Sequence, residues 1–265
     1  MVKPIRNSYY YKTIIILILI LIVILLYGNH CYKTSTILEN FELNNQIPKV
    51  IYLSYKTKNI PNYIIPNWKK IYPEYEIKLY DNEDCIKFLK DEYGMEYVDI
   101  FNMIKDGPIK ADFWRVCVLY KYGGIYADVD IEPLVSVENI MDMDTTFLSC
   151  ISQDKIGITP QFIVSIPKHN ALKMCIDKYL EMYRSKKEYS YWGWSICGIM
   201  KDVFYELHGK NITADGIYFD NKNNKYQMLK EVYPTFSAKD HYCKYKNIKI
   251  LNNRYSDYDH EKHGF

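Results

Sequence analysis

The chain has 265 residues, 48% hydrophobic and 25% charged, which is enough for one substantial globular domain or two small ones and too apolar for a disordered chain. Its 34 basic and 32 acidic residues leave a formal net charge of +2 without a polybasic signature, so nothing in the charge assigns nucleic acid as a partner. The excess of Tyr, Ile, Lys and Asn makes any single tyrosine weak functional evidence.

In chain order, the first predicted element is a membrane segment. Ile14 to Leu26 is an unbroken run of Ile, Leu and Val preceded by Lys3, Arg6 and Lys12. Extended from the tyrosines at 9 to 11 through Tyr27, a helix here would cover about 30 Å, with aromatics at both interfaces. Tyr27, Gly28, Asn29 and His30 offer no small-x-small cleavage pattern, which favours an uncleaved anchor over a signal peptide. The expected organisation is a cytoplasmic tail over 1–12, a transmembrane signal anchor over 13–27, a polar stem over 28–45 and a folded domain over 46–265. The positive flank stays cytoplasmic, giving a single-pass type II protein with its domain on the lumenal or outer side. Seven cysteines cannot all pair within one chain, and they form neither a CxxC pair nor a zinc pattern. Cys31, just past the anchor, could bridge to a second copy as a disulfide-linked dimer or remain an inert thiol. Asn211-Ile212-Thr213 is a glycosylation sequon suited to a lumenal loop.

"IPKVIYLSY" from Ile47 reads as a first strand and "YEIKLYD" from Tyr75 as a second, with a short helix over Asn62 to Ile71 between them. Asp81 and Asn82 look like caps for a helix over Glu83 to Tyr93. Pro108 sits where a first turn would open a helix running to Tyr122, which Gly123 and Gly124 end. That last helix is apolar nearly all round, so it should be buried. Its polar exceptions are Asp112 and Arg115, three residues apart on one face. Buried charges need partners, and these two either pair with each other or face a common cleft.

The segment that follows, "YGGIYADVDIEPL", is predicted to be extended from Ile125 to Ile131. Tyr126, Asp128, Asp130 and Glu132 then share one face, opposite Ile125, Ala127, Val129 and Ile131. Carboxylates on that face would lie roughly 6 to 7 Å apart and repel one another unless a divalent cation sat between them. Glu132 reads as a solvated or capping carboxylate. In the second half, strands are predicted over Phe147 to Ile151 and Phe162 to Ile166, helices over Ala171 to Arg184 and Trp194 to Leu207, and a mixed tail from Val232. The order of elements favours an α/β sheet with ligand sites beyond the strand ends.

"IPKVIYLSYKT", "NWKKIYPEYEIKLYD" and "KADFWRVCVLYKYGGIYADVDIEPL", in that order, resemble glycosyltransferase family 32, whose DXD region is shared with yeast-type initiating mannosyltransferases and the large clostridial glucosylating toxins. Residues 47 to 134 carry the resemblance. It implies an α/β fold of the GT-A nucleotide-sugar-binding type and a metal-dependent transfer of a sugar from a UDP- or GDP-sugar to a glycan, glycolipid or glycoprotein acceptor. Retention of anomeric configuration and a Golgi or ER membrane are the family's expectations. Asp128 and Asp130 would hold Mn²⁺ or Mg²⁺ against the donor diphosphate, with Asp130 the more direct ligand and Asp128 also facing the ribose. Asp112 and Arg115 would grip the transferred sugar, and Tyr126 would line the donor pocket, with Tyr52, Ser54 and Tyr55 beside the base. The family's third metal ligand comes from near the C-terminus; "NRYSDYDHEKHGF" lacks the usual Ser-Trp pair and offers His260 in its place. Trp192 and Trp194 in "YWGWSICGIM" would either stack on sugar rings or pack in the core.

Two other classes compete. An Asp-x-Asp strand also occurs in phosphatases of the haloacid dehalogenase type, but Ile131-Glu132-Pro133 follows here and Asp112 and Arg115 would be left without a role. A catalytically degenerate transferase fold acting as a glycan-binding or scaffolding protein is the non-enzymatic alternative.

Overall fold

The computed structural model describes residues 25–27, 47–154, 157–235 and 240–255. The chain divides into Met1–Asn45 and Gln46–Phe265. Of the expected anchor only 25–27 are described, as helical, and no helix among the described residues is long and apolar enough to cross a membrane. The stem, Cys31 and His260 lie outside the described residues.

The second unit opens with a βαβ pattern: β1 (Val50–Ser54), α1 (Ile64–Ile71) and β2 (Glu76–Tyr80). Helix α2 (Asn82–Tyr93) starts at a reciprocal cap, in which the Asp84 N–H donates to the Asp81 carboxylate and the Asp81 N–H to that of Asp84. Gly94, with φ of +92°, breaks it from α3 (Met95–Met103). Helix α4 (Gly107–Tyr122) carries Pro108 in its first turn, where the lost N–H costs nothing. Gly123 and Gly124, at φ of +66° and +103°, then turn the chain into β3 (Gly124–Asp128). A Cβ at Gly123 would meet the Pro167 nitrogen at 2.6 Å, and one at Gly124 the Val50 carbonyl at 2.7 Å, so this turn has room only for glycine.

The remaining elements are β4 (Glu132–Pro133), β5 (Thr145–Ile151), β6 (Ile158–Ser165), α5 (Asn170–Arg184), α6 (Tyr191–Trp194), α7 (Ile196–His208), β7 (Gly216–Phe219), β8 (Lys225–Val232), β9 (Tyr242–Tyr245) and β10 (Ile248–Asn252). One sheet runs in the order β2-β1-β3-β6-β5-β8-β9-β10-β4, with β7 beside β8. Strands β2, β1 and β3 are mutually parallel, while β6, β9, β10 and β4 each pair antiparallel with their neighbours.

The alternation of β1 and β3 splits the core between two faces. Tyr52 and Tyr126 point into a layer with Phe113, Trp114 and Val118 of α4. Ile51, Leu53, Ile125 and Ala127 point into one with Ile64 and Trp68 of α1. Each fully buried large apolar side chain contributes about 1.5–3 kcal/mol. The expected α/β class is observed.

The predicted extended run to Ile131 needs correcting. Strand β3 ends at Asp128, Val129 and Asp130 form a turn, and the Ile131 N–H closes it on the Asp128 carbonyl at 3.1 Å. Asp130 therefore reaches the site through a turn and not by strand alternation. The helix predicted over Trp194 to Leu207 is observed as α7, starting at Ile196; Trp194 instead ends the short α6, and between them the Ser195 hydroxyl accepts from the Cys197 N–H to cap α7.

Candidate active site

The carboxyl ends of the parallel strands converge where open α/β sheets bind ligands. Ser54, the last residue of β1, stands in register with Asp128, the last of β3. The Ser54 hydroxyl lies 3.1 Å from the Tyr126 hydroxyl, which donates to Asp128 Oδ1 at 2.7 Å. These two residues share the face that strand alternation predicts.

Helix α4 supplies the cation. Arg115 Nη2 lies 3.1 Å from Asp112 Oδ1 and 3.2 Å from Asp128 Oδ1. Nη1 donates to the Pro160 carbonyl at 2.7 Å and Nε to the Ala111 carbonyl at 3.1 Å, while the guanidinium carbon sits 4.3 Å from the Tyr126 ring centroid. Asp112 Oδ2 accepts from the Ile196 N–H at 3.1 Å, which ties the start of α7 to the site. The expected pairing of Asp112 with Arg115 is observed, and Arg115 pairs at the same time with Asp128 at the end of β3.

These groups sit in little water. Arg115 is 3% exposed and Asp112 5%. Burial pushes the Asp112 carboxyl up to about 6, with Arg115 and the Ile196 N–H pulling the other way. Burial also works against the Arg115 charge, but Asp128, Tyr126 and Asp112 outweigh it and hold the guanidinium firmly protonated. The Asp128 side chain is 29% exposed and that of Asp130 20%, so the acidic pair forms the open rim of a closed ionic cluster. Asp130 lies deep enough that loss of water, then the charge of Asp128, pushes its carboxyl up to about 7, opposed by Arg254.

Arg254 was not found from the sequence. Its Nε lies 3.9 Å from Asp130 Oδ2, and the Tyr255 N–H donates to the Asp130 carbonyl at 2.9 Å. The only signal was a cation in a polar tail, and it becomes legible once β10 is seen to pair with β4, Leu251 opposite Pro133 and Asn252 opposite Glu132. Glu132 is partly buried and accepts from Asn252 Nδ2 at 2.6 Å, so it anchors this return strand.

Among the described residues no three His, Cys, Asp or Glu side chains converge on one point. A cation here would be held by Asp128 and Asp130 together with oxygens of a ligand or water. The two carboxylates fit a hard divalent ion, since each is partly exposed and the charge of one raises the pKa of the other.

A cavity of about 50 Å³ opens beside Ser54, between the end of β1 and the first turns of α2 and α4, lined by Tyr55, Lys56, Asn82, Phe101 and Lys110. The Lys110 ammonium lies 5.0 Å from the Phe101 ring centroid. Ser54 and Tyr55 are thus brought together, but Tyr52 is not: it is buried in the core with its ring centroid 6.2 Å from that of Tyr80. Trp194 is fully buried against Tyr179 and Tyr189, whereas Trp192 is 79% exposed.

The family "glycosyltransferase sugar-binding region containing DXD motif" matches residues 60–163. The mannosyl phosphorylinositol ceramide synthase SUR1 of Saccharomyces cerevisiae is 29% identical over 160 residues, covering 55% of this chain and 36% of that protein. The initiation-specific alpha-1,6-mannosyltransferase of the same yeast is 27% identical over 147 residues, covering 45% of this chain and 31% of that protein. The chain thus spans well under half the length of either relative. The solved structure of the PaToxG glycosyltransferase aligns with a TM-score of 0.48 at 15% identity, covering 66% of this chain and 76% of that one.

Proposed function

We propose that this chain, whose residues 60–163 belong to the family of glycosyltransferase sugar-binding regions containing a DXD motif, transfers a hexose from a UDP- or GDP-sugar to a glycan, glycolipid or glycoprotein acceptor. The observation that carries the reading is Arg115, which joins Asp112 to Asp128 at the carboxyl end of β3. A buried guanidinium shared by two carboxylates is costly as a stability device alone, and here it leaves the outward carboxylate edge of the D-x-D pair in a fixed place.

In this reading the base enters the cavity beside Ser54 and Tyr55, the diphosphate lies over Asp128 and Asp130, and the sugar lies on the side of Asp112, next to the start of α7. Mn²⁺ or Mg²⁺, held by Asp128 and Asp130, would neutralise the negative charge that builds on the leaving diphosphate. Arg115 pairs with Asp128 and, through Asp112, fixes the start of α7 beside the sugar. The core of Tyr126, wedged between Arg115 and Ser54, excludes water from the base of the site. Mannose as the sugar is an extension supported by the names of the relatives, while the GT-A type of sheet and retention of configuration extend the family resemblance of the D-x-D region. The apolar run over 13–27 supports a type II anchor with the domain in the Golgi or ER lumen, and Cys31 supports a disulfide-linked dimer.

The test is a screen of UDP- and GDP-sugars with the full-length chain, following release of nucleoside diphosphate with and without Mn²⁺. The expected outcome is cation-dependent turnover of one donor that Asp130→Asn lowers by about 100-fold or more. Turnover without a divalent cation, unchanged in Asp130→Asn, would overturn the reading.

A further inference from the structure

The D-x-D pair faces two guanidinium groups that differ in kind. Arg115 is saturated: each of its nitrogens is within 3.2 Å of an oxygen. Arg254 is not. Its Nε is buried with no hydrogen-bond partner among the described residues, and its 3.9 Å from Asp130 Oδ2 is ion-pair range but too long for a hydrogen bond. A buried guanidinium N–H left unmade is expensive, and an acceptor arriving beside Asp130 would relieve that cost.

The backbone around Arg254 is held on both sides. The Asn253 N–H donates to the His241 carbonyl at 2.9 Å and the Tyr255 N–H to the Asp130 carbonyl at the same distance, behind the β10–β4 pairing. The side chain, 25% exposed, retains room to turn. With Arg115 on Asp128 and Arg254 on Asp130, each carboxylate of the pair has its own counter-charge in the protein as it stands.

From this geometry we infer that Arg254 is the counter-cation of Asp130 in the ion-free protein and turns to the donor diphosphate when a divalent cation takes that place. The inference rests on the proposed donor site. A divalent ion relieves Asp130 of its need for Arg254, and the diphosphate that comes with the ion offers paired oxygens to a planar fork, a geometry that arginine meets and lysine does not. When the glycosyl–phosphate bond breaks, its electron pair stays on the diphosphate oxygen, and Arg254 stands beside the charge that results.

The test uses the full-length chain and its Arg254→Ala and Arg254→Lys variants at pH 8, with two readouts that do not need turnover. Electron paramagnetic resonance titration measures Mn²⁺ binding without nucleotide, and calorimetry measures UDP and GDP binding at saturating Mn²⁺. Arg254→Ala is expected to bind Mn²⁺ alone several-fold more tightly, because Asp130 has lost its competitor, and the nucleoside diphosphate about 10-fold more weakly. Arg254→Lys keeps the charge, so its Mn²⁺ binding stays at the level of the unmodified protein while diphosphate binding recovers only in part. Both affinities falling together, or neither changing, would overturn the role of Arg254 and leave the donor site standing. Failure of the unmodified protein to bind either nucleotide with Mn²⁺ would overturn the donor site as well.

Discussion

The α4–β3 corner and the β10 tail each bring an arginine to one aspartate of the same D-x-D pair, and they do so in opposite ways. The corner lies among parallel strands covered by helices, so Arg115 is dry, held by contacts of 2.7 to 3.2 Å, and part of the scaffold. The tail is an antiparallel return beside the short β4, so Arg254 is partly wet and meets its carboxylate at 3.9 Å. A site that must hold still and still accept a charged ligand can draw these properties from different parts of one sheet: rigidity from the buried crossover, adjustment from the edge.

The largest expected effect is at the corner. Arg115→Ala leaves Asp112 buried without its cation and should cost about 3–5 kcal/mol in urea unfolding. A loss below about 1 kcal/mol would break the comparison, because the corner would then be no more structural than the tail.

A pH series sharpens it further. Burial raises the folded-state carboxyl of Asp112 to about 6, so the folded chain retains a proton that the unfolded chain has released. Its contribution to stability is fully present below about pH 4 and is lost as pH rises through about 6. Between those limits the stability of the unmodified protein should fall relative to that of Asp112→Asn. Parallel curves would show that the corner is wetter than its 5% exposure indicates. The smallest expected effect is at the tail, where Arg254→Ala should change unfolding free energy by less than about 1 kcal/mol, as partly exposed pairs do.

The corner was legible in the sequence because its signals are local. Two charges three apart on an otherwise apolar helix, closed by a glycine pair, predict burial and pairing, and Arg115 with Asp112 and Asp128 meets that expectation. Strand alternation placed Tyr126 with Asp128 correctly but failed at Asp130, because the turn that closes on the Asp128 carbonyl has no Gly or Pro to announce it. Helix α3 was missed because only Gly94 separates it from α2. Strand β8 was missed because it is buried on both faces along most of its length, Gln227 included, and so shows no alternation. Arg254 depends on pairing with a two-residue strand more than a hundred positions earlier, too short a stretch for any periodicity to reveal.

That long-range pairing has a temporal side. Asp130 and β4 leave the ribosome well before the strand that covers them, so the emerging polypeptide carries an acidic turn whose partner has yet to be synthesised. A product halted before Ile248 lacks the closing strand, and with it the cover of that turn and the Tyr255 tether of Asp130. The contact of Arg254 with Asp130 can therefore form only after this strand has been made, an order set by chain connectivity alone.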